Sequence, residues 1–393
     1  MRRVAIPPRA NWRERAEQSG FRFHTIDGEP YWDESAYYAF TLHQIEHDLE
    51  APTEDLHAMA LDLVGAIVAS EERMRRLDIP EPFWDWIARS WQARDAHVVG
   101  RMDLAYDGHA PAKLYEFNYD TPTSLFEAAF FQWQWLDDQQ RDGRLPVAAD
   151  QFNSIYESLV EALAMIAPQL PRPIRFAALR DAVEDQGTSD YLRDCALQAG
   201  IECAALAIED VGLSADGRYT DLDDAVIGTL FKLYPLEDLF REPFGRHLPD
   251  SGLRLVEPPW KAVLSNKGIL PLLWEAHEGH PNLLPAYFDD GADPLPAGWV
   301  RKPLHSREGA NVRIALPDGE RIETAGPYTG PAIRQAFHPL PQFDGRHALI
   351  GSWVVGDRAC GIGIREDASP ITRDSARFVP HAILEAGTAT LLA

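Results

Sequence analysis

Arg101 and Asp103, followed by Glu116, Asn118 and Asp120, form two short polar rows at period-2 spacing. Over residues 115–120 the aromatics Tyr115, Phe117 and Tyr119 alternate with Glu116, Asn118 and Asp120, so an extended backbone sends the two sets to opposite faces. Asp107-Gly108 and a short Pro-containing loop separate the rows as a hairpin turn would. Folded about its middle, the hairpin sets 103 opposite 116 and 101 opposite 118. Asp103, Glu116 and Asn118 then share a face with the Arg101 guanidinium. Carboxylate and amide oxygens suit a hard cation, and Mg²⁺ takes one or two carboxylates together with phosphate oxygens. The plainer alternative is a solvated polar face on an amphipathic hairpin.

The segment after the hairpin favours the cation site. Thr121 can cap a helix, Pro122 suits its first position, and Ser124 is followed three residues on by Glu127. The run 125–136 is apolar and helical in length. A helix N-terminus facing the oxygen cluster would favour an anion, a phosphate or a substrate carboxylate. Two lysines in apolar surroundings could reach the same anion: Lys267 in Ser265-Asn266-Lys267-Gly268, and Lys302 at a strand end before Pro303. Beyond Lys302, residues 305–312 form a small-residue turn able to fold over phosphates through backbone N–H groups. Arg365, at the end of a glycine-containing strand, could bind phosphate or pair with Glu366 or Asp367. Gly361 and Gly363 lack the third glycine and following helix of a dinucleotide fingerprint. His43-Gln44-Ile45-Glu46-His47 matches the H-x-x-E-H pattern of inverted zinc peptidases, with no third ligand at a motif-supported spacing.

Positioning these residues requires a mixed fold. Residues 34–100 read as helical, and helices are expected to about Gln140 and over 151–166. Ile174 to Leu179 reads as a strand, 189–199 as a helix and 201–208 as a second strand, a strand–helix–strand unit. A further short apolar run spans 225–231, and 285–300 is rich in Pro, Gly and Asp, as a loop is. Residues 348–364 read as a hairpin turning at Gly356-Asp357. The expectation is an α+β or mixed α/β chain forming one catalytic region over 1–393. Its approximate parts are a helical portion at 1–100, the hairpin and its helices at 101–170, an α/β unit at 171–260 and a phosphate-handling part at 261–393.

The 393 residues carry a net charge of −24, from 37 basic and 61 acidic residues, which argues against nucleic acid or an anionic membrane as partner. Such a surface suits a cationic small molecule. Three scattered cysteines give no disulfide framework, so a reducing, cytoplasmic setting is expected. No apolar run approaches the ~20 residues that span a bilayer, and the first residues break at prolines before any signal-length apolar core.

Taken together, Arg101-x-Asp103, Glu116-x-Asn118-x-Asp120-Thr121-Pro122-Thr123-Ser124, Asn266-Lys267-Gly268, Arg301-Lys302-Pro303, Arg307-Glu308-Gly309, Gly351-Ser352-Trp353 and Arg365-Glu366-Asp367 with Pro370-Ile371-Thr372 resemble the glutathionylspermidine synthase family. The resemblance runs through nearly the whole chain in order. It implies an ATP-grasp-like fold in permuted order, with a pre-ATP-grasp-like strand–helix–strand unit, and an ATP- and Mg²⁺-dependent acid–amine ligase working through an acyl phosphate. By match, Asp103, Glu116 and Asn118 would hold Mg²⁺. The ATP site would take in Arg101, Met102, Asp103, Lys267, Lys302, Glu308, Gly309, Gln335, Ala336, Phe337, His338, Arg365, Pro370, Ile371 and Thr372. Arg101 would be catalytic, and Arg101, Asp120 and Thr121 would meet the substrate acid. The substrates would be small molecules, glutathione or a related peptide acid with a polyamine or another amine. The synthetase-like region starts almost at once, so no amidase is expected. Two other readings stand beside this one: a non-catalytic nucleotide-binding scaffold of the same fold, and a zinc peptidase using His43 and His47.

Overall fold

Val99–Ala105 and Lys113–Asn118 pair antiparallel, with Arg101 opposite Asn118 and Asp103 opposite Glu116. The register is the one the alternation demands, in a computed structural model that describes residues 1–26, 28–291 and 294–385. Asp107 Oδ1 accepts from the N–H groups of His109 and Ala110 at 2.8 and 2.9 Å, closing the turn as an Asx motif. The ladder shifts between Asp103 and Leu104, whose partners are Glu116 and Leu114. Tyr115 is therefore the extra residue of a bulge. Phe117 and Tyr119 go to the core as expected, while Tyr115 turns with Glu116 toward a cleft.

The hairpin is one edge of a six-stranded antiparallel sheet continued by Arg346–Val355, Arg358–Asp367 and Arg377–Val379, with Gln342–Phe343 at the side. Ala51–Val68 is a helix with Leu56, Ala60, Val64 and Ile67 fully buried. It packs on this sheet, and Thr53 Oγ1 lies 2.8 Å from Ser352 Oγ. A second, five-stranded antiparallel sheet has the order Ala286–Phe288, Ala332–Ala336, Trp299–Pro303, Arg313–Ala315, Arg321–Glu323. The expected α/β unit is a four-stranded parallel sheet, Arg254–Val256, Thr229–Leu233, Ile174–Ala178 and Cys203–Ala207 in that order, with helix Val183–Gln198 crossing over. Among the described residues no helix is long and apolar enough to cross a membrane.

Three local expectations are corrected. Residues 34–100 are not all helical, because Ala36–Phe40 is a strand between Arg2–Ala5 and His381–Ile383. It is buried on both faces, so its apolar run carries no period to separate strand from helix. Residues 285–300 are mostly loop but include the edge strand Ala286–Phe288. Thr121 does not cap a helix: residues 121–124 are irregular, Ser124 has φ +69°, and helical bonding begins where Ala128 N donates to Ser124 O. The helix so begun passes through a π-turn, Glu127–Phe131, into Gln132–Arg141.

Buried ion pairs hold the hairpin at both ends. At its start, Glu257 accepts from the backbone N–H of Val98 and Val99 at 3.0–3.2 Å, and Lys261 Nζ, 2.5 Å from Glu257, donates to Val99 O at 2.7 Å. At its end Asp120 meets Lys232 of the central parallel strand and accepts from Leu236 N at 2.8 Å, with neither charged side chain exposed. Breaking such a pair strands one charge in the interior. Lys232→Met is therefore expected to cost about 3–5 kcal/mol, read as a lower urea midpoint. Lys232→Met combined with Asp120→Leu should recover most of that loss.

Candidate active site

The two antiparallel sheets face each other across a cleft of ≈ 350 Å³, with the 234–238 segment of the α/β unit closing one side. Arg101 and Asp103 point into it from the first hairpin strand, where Met102 and Leu104 point to the core. Arg101 Nε and Nη2 donate to Asp103 Oδ1 and Oδ2 at 2.8 and 3.3 Å, and Nη1 donates to Thr123 O at 2.8 Å. Gly351, opposite Asp103 on the next strand, makes room for this side chain: a Cβ there would lie 2.9 Å from Arg101 Cδ. The guanidinium also sits 5.8 Å from the Trp353 ring centroid. That is the physical content of the Gly351-Ser352-Trp353 motif.

Glu116 and Lys267 approach to 3.3 Å, and Lys267 Nζ also donates to Ser306 O. Lys302 Nζ donates to Gln335 Oε1 at 2.8 Å and Tyr115 O at 3.2 Å, while Gln335 Nε2 is fixed by Leu114 O at 3.1 Å. Burial pushes the Lys302 ammonium down to about 8, Glu116 opposing and Lys267 adding to the shift. Burial alone would raise the Glu116 carboxyl, but Lys267, Lys302 and Arg101 hold it below the ordinary value. Asn118 lines the cleft with its amide nitrogen buried and unpartnered.

Gly309 has φ +68°, and a Cβ there would fall 2.6 Å from Ile371 Cγ2 and 2.7 Å from Thr372 O. This glycine lets the loop after Lys302 lie on the 370–372 segment, which Asp367 holds through Ser369 N at 2.9 Å and Arg373 N at 3.0 Å. Arg365 Nη2 donates to Arg373 O at 2.7 Å, leaving Nε buried without a partner. Val300, Val312, Ile314 and Ile371 form an apolar cluster whose members line the cleft, a surface suited to a flat ring. At the neighbouring strand, Ala336 N and Phe337 N already donate to Pro285 O and Gly298 O at 2.7 and 2.8 Å. Gln335, Ala336, Phe337 and His338 thus line the cleft without those two N–H groups to offer.

Of the residues singled out from sequence, Arg101, Asp103, Glu116, Asn118, Thr121, Lys267, Lys302, Glu308, Gly309, Gln335, Ala336, Phe337, His338, Arg365, Pro370, Ile371 and Thr372 all line this one cleft. Met102 and Asp120 do not: the first is in the core and the second is paired with Lys232. Arg307, quoted only as part of a motif, has a definite place. It donates to Thr121 Oγ1 at 2.7 Å and Glu237 Oε1 at 2.8 Å, joining the loop, the hairpin end and the α/β unit. Glu184 and Asp185 were missed, and Glu127 and Glu308 were read only as parts of motifs and not as members of an acidic group. Burial raises Glu127 to about 8, with Glu184 adding to the shift; it raises Glu184 to about 7 and Asp185 to about 6, and moves Glu308 upward. Arg365 partly offsets the first two. Glu184 and Asp185 lie in helix Val183–Gln198 with no motif around them, Glu127 in the π-turn and Glu308 in the loop after Lys302, so only the tertiary fold gathers them. His43 and His47 meet edge to face, ring centroids 4.5 Å apart, on an exposed helical face, and among the described residues no group of three metal-ligating side chains forms.

The family described as glutathionylspermidine synthase preATP-grasp matches residues 3–384. A Haemophilus influenzae protein named "Putative acid--amine ligase" is 39% identical over 97% of this chain and 99% of its own length. The trypanothione synthetase of Crithidia fasciculata is 28% identical over 81% of this chain and 52% of its own, so the chain spans about half of it. The bifunctional glutathionylspermidine synthetase/amidase of Escherichia coli is 24% identical over 92% of this chain and 60% of its own length. Among solved structures, a glutathione synthetase-like effector from Globodera pallida superposes with a TM-score of 0.56 over 88% of this chain and 89% of that one. At 12% identity that likeness speaks for the fold alone.

The charge pairing within the cleft can be tested directly. Glu116→Gln removes the main charge that sustains the Lys302 ammonium, so its pKa should fall further below about 8. The pH dependence of Lys302 acylation by acetic anhydride, read by mass spectrometry, would report the shift.

Proposed function

The chain belongs to the glutathionylspermidine synthase family and is a carbon–nitrogen ligase, and from that premise we propose that it joins a small carboxylic acid to an amine at the cost of ATP. The observation that carries this reading is the meeting, in one cleft, of Asp103, Glu116 and Asn118 with Lys267, Lys302 and Arg101. The two facing sheets correspond, on this reading, to an ATP-grasp-like nucleotide site reached in permuted order, the hairpin residues preceding the lysines. The 1–393 catalytic region is then one working unit, with residues 171–260 as its pre-ATP-grasp-like wall. A cytoplasmic setting accords with the free thiols of Cys195, Cys203 and Cys360.

The donor set fits Mg²⁺. Two carboxylates and one amide oxygen on adjacent strands are hard ligands, and the unpartnered Asn118 amide nitrogen leaves that side chain unclaimed by the protein. Asp103, Glu116 and Asn118 would hold the ion, which when bound neutralises phosphate charge. Lys267 and Lys302 would bind triphosphate oxygens, with the 305–311 loop lying over them. The apolar cluster of Val300, Val312, Ile314 and Ile371 would take the adenine. Arg101 can let go of Asp103 to stabilise the transferring phosphoryl group or the oxyanion formed by amine attack. Thr121 and Arg307 stand where the acid's carboxylate would be held. No protein nucleophile is needed, since positioning and charge neutralisation supply the rate. Asp185 and Glu308, which line the cleft, favour a cationic amine, a polyamine being one that would use both.

Phosphate release from ATP over a matrix of small acids and amines tests the reading. Release that depends on one acid and one amine together, with an amide product, is expected; release indifferent to both would instead support a regulatory ATPase. For the pair found, Arg101→Ala should lower kcat by about 10²–10³. Because the raised carboxyls of Asp185, Glu184 and Glu127 ionise over about pH 6 to 8, and a cation prefers them ionised, amine affinity should strengthen as pH rises through that window. The KM for the amine, measured from pH 6 to 8, would show it as a fall.

A further inference from the structure

Behind the cleft lie two small cavities, each on the scale of a single water. One, of ≈ 20 Å³, is lined by Asn118, Thr121, Lys267, Ser306 and Arg307 of the cleft and also by Glu237, Ser265 and His305. The other, of ≈ 10 Å³, is lined by Glu237, Ser265 and His305 again, and continues past Ala262 to Asp78 and Arg241. Those last two side chains are nearly half exposed and paired at 2.8 Å. His305 thus sits in the partition between an annex of the active site and an exit to solvent. Its Nε2 is buried with no hydrogen-bond partner and lies 3.7 Å from Asp78 Oδ2. An imidazole in this position can take a proton on one ring nitrogen and release one from the other.

We propose that His305 relays a proton from the active site through this partition to Asp78 and solvent. The inference rests on the ligase reading. When an ammonium becomes an amide nitrogen, one of its three protons stays on nitrogen. A second ends on the orthophosphate, which also takes one carboxylate oxygen. The third must leave. The annex gives it a way out, opening from the cleft beside Lys267 and Arg307 and lined on its far side by Glu237 and His305. Burial keeps the His305 ring below its ordinary 6.5, with Glu237 and Asp78 opposing and Arg241 and Lys267 assisting, so it stands neutral and ready to accept at neutral pH.

The test is kcat for amine-dependent ATP turnover from pH 5.5 to 8.5 in wild type, His305→Ala and Asp78→Asn. Wild type should lose rate in acid as the ring becomes protonated. His305→Ala should lower kcat about 10²-fold at pH 7, abolish that acidic limb, and regain rate with added imidazole. Asp78→Asn, at the surface end and outside the binding machinery, should lower kcat several-fold. Wild-type kcat and pH dependence in both variants, or a loss in His305→Ala that imidazole leaves untouched, overturns the relay. Absence of any amine-stimulated turnover in wild type is a separate failure: it removes the ligase reading, and the relay falls with it.

Discussion

The site depends on a hairpin whose two ends are held by charges that water does not reach. Its polar row would be an ordinary surface if the strands could slide or lift away, since a slip of one residue sends Arg101 and Asp103 to the core and Met102 and Leu104 to the cleft. Glu257 and Lys261 fix the first strand through its own backbone at Val98 and Val99, and Lys232 fixes the far end through Asp120. Buried pairs of this kind contribute little net stability, but they are severe about geometry, because any other arrangement leaves a charge uncompensated. Both come from residues 229–262, so the α/β unit governs the hairpin's position as well as forming part of the cleft wall.

Inside the cleft the same rule holds with looser partners. Arg101 rests on Asp103 and Lys267 on Glu116, while Lys302 leans on neutral oxygens and is held below its usual range by burial. On the ligase reading, each cation would exchange its partner for an arriving polyanion, and Asp103 and Glu116 would then be free to meet a metal ion. A site built only of cations would repel itself in so enclosed a space. The carboxylates would therefore serve both states of the cleft, which on this reading gives a physical reason for ligand and anchor residues to alternate along one strand pair.

Much of this was legible in the sequence because it is written in short-range pattern. The hairpin register followed from period-2 alternation. The parallel unit followed from its strand–helix–strand texture, with helix Val183–Gln198 starting six residues earlier than its apolar pattern suggested. The turn at Gly356-Asp357 followed from its residue types. The features that sequence missed lie where two distant segments decide together. The bulge at Tyr115 depends on the ladder partner, and Thr121 is claimed by Arg307 and not by a helix. Gly309 and Gly351 look like turn or strand glycines, yet each is small because another segment's side chain or backbone fills the space. Ala36–Phe40 escaped because double burial erases periodicity.

Two groups of charge therefore meet at one cleft without cancelling, the acidic one reaching it through Asp185 and Glu308. Around Glu116 the balance favours cations, and around Glu127, Glu184 and Asp185 it favours acids, with Arg365 and Arg307 acting on the acids. Had the acids been spread along the phosphate side, they would have repelled the nucleotide; had they been fully ionised, their mutual repulsion would have strained the fold. Burial answers both difficulties by raising these carboxyls, so that each carries less charge near neutral pH than a free one would. On the ligase reading, an arriving cation would supply what ionisation needs, and an amine's affinity would follow how many of these carboxyls it reaches at once. A monoamine would satisfy one of them, whereas a polyamine of suitable spacing would satisfy more, and on that reading this acidic group would rank amines by charge number before any bond is made.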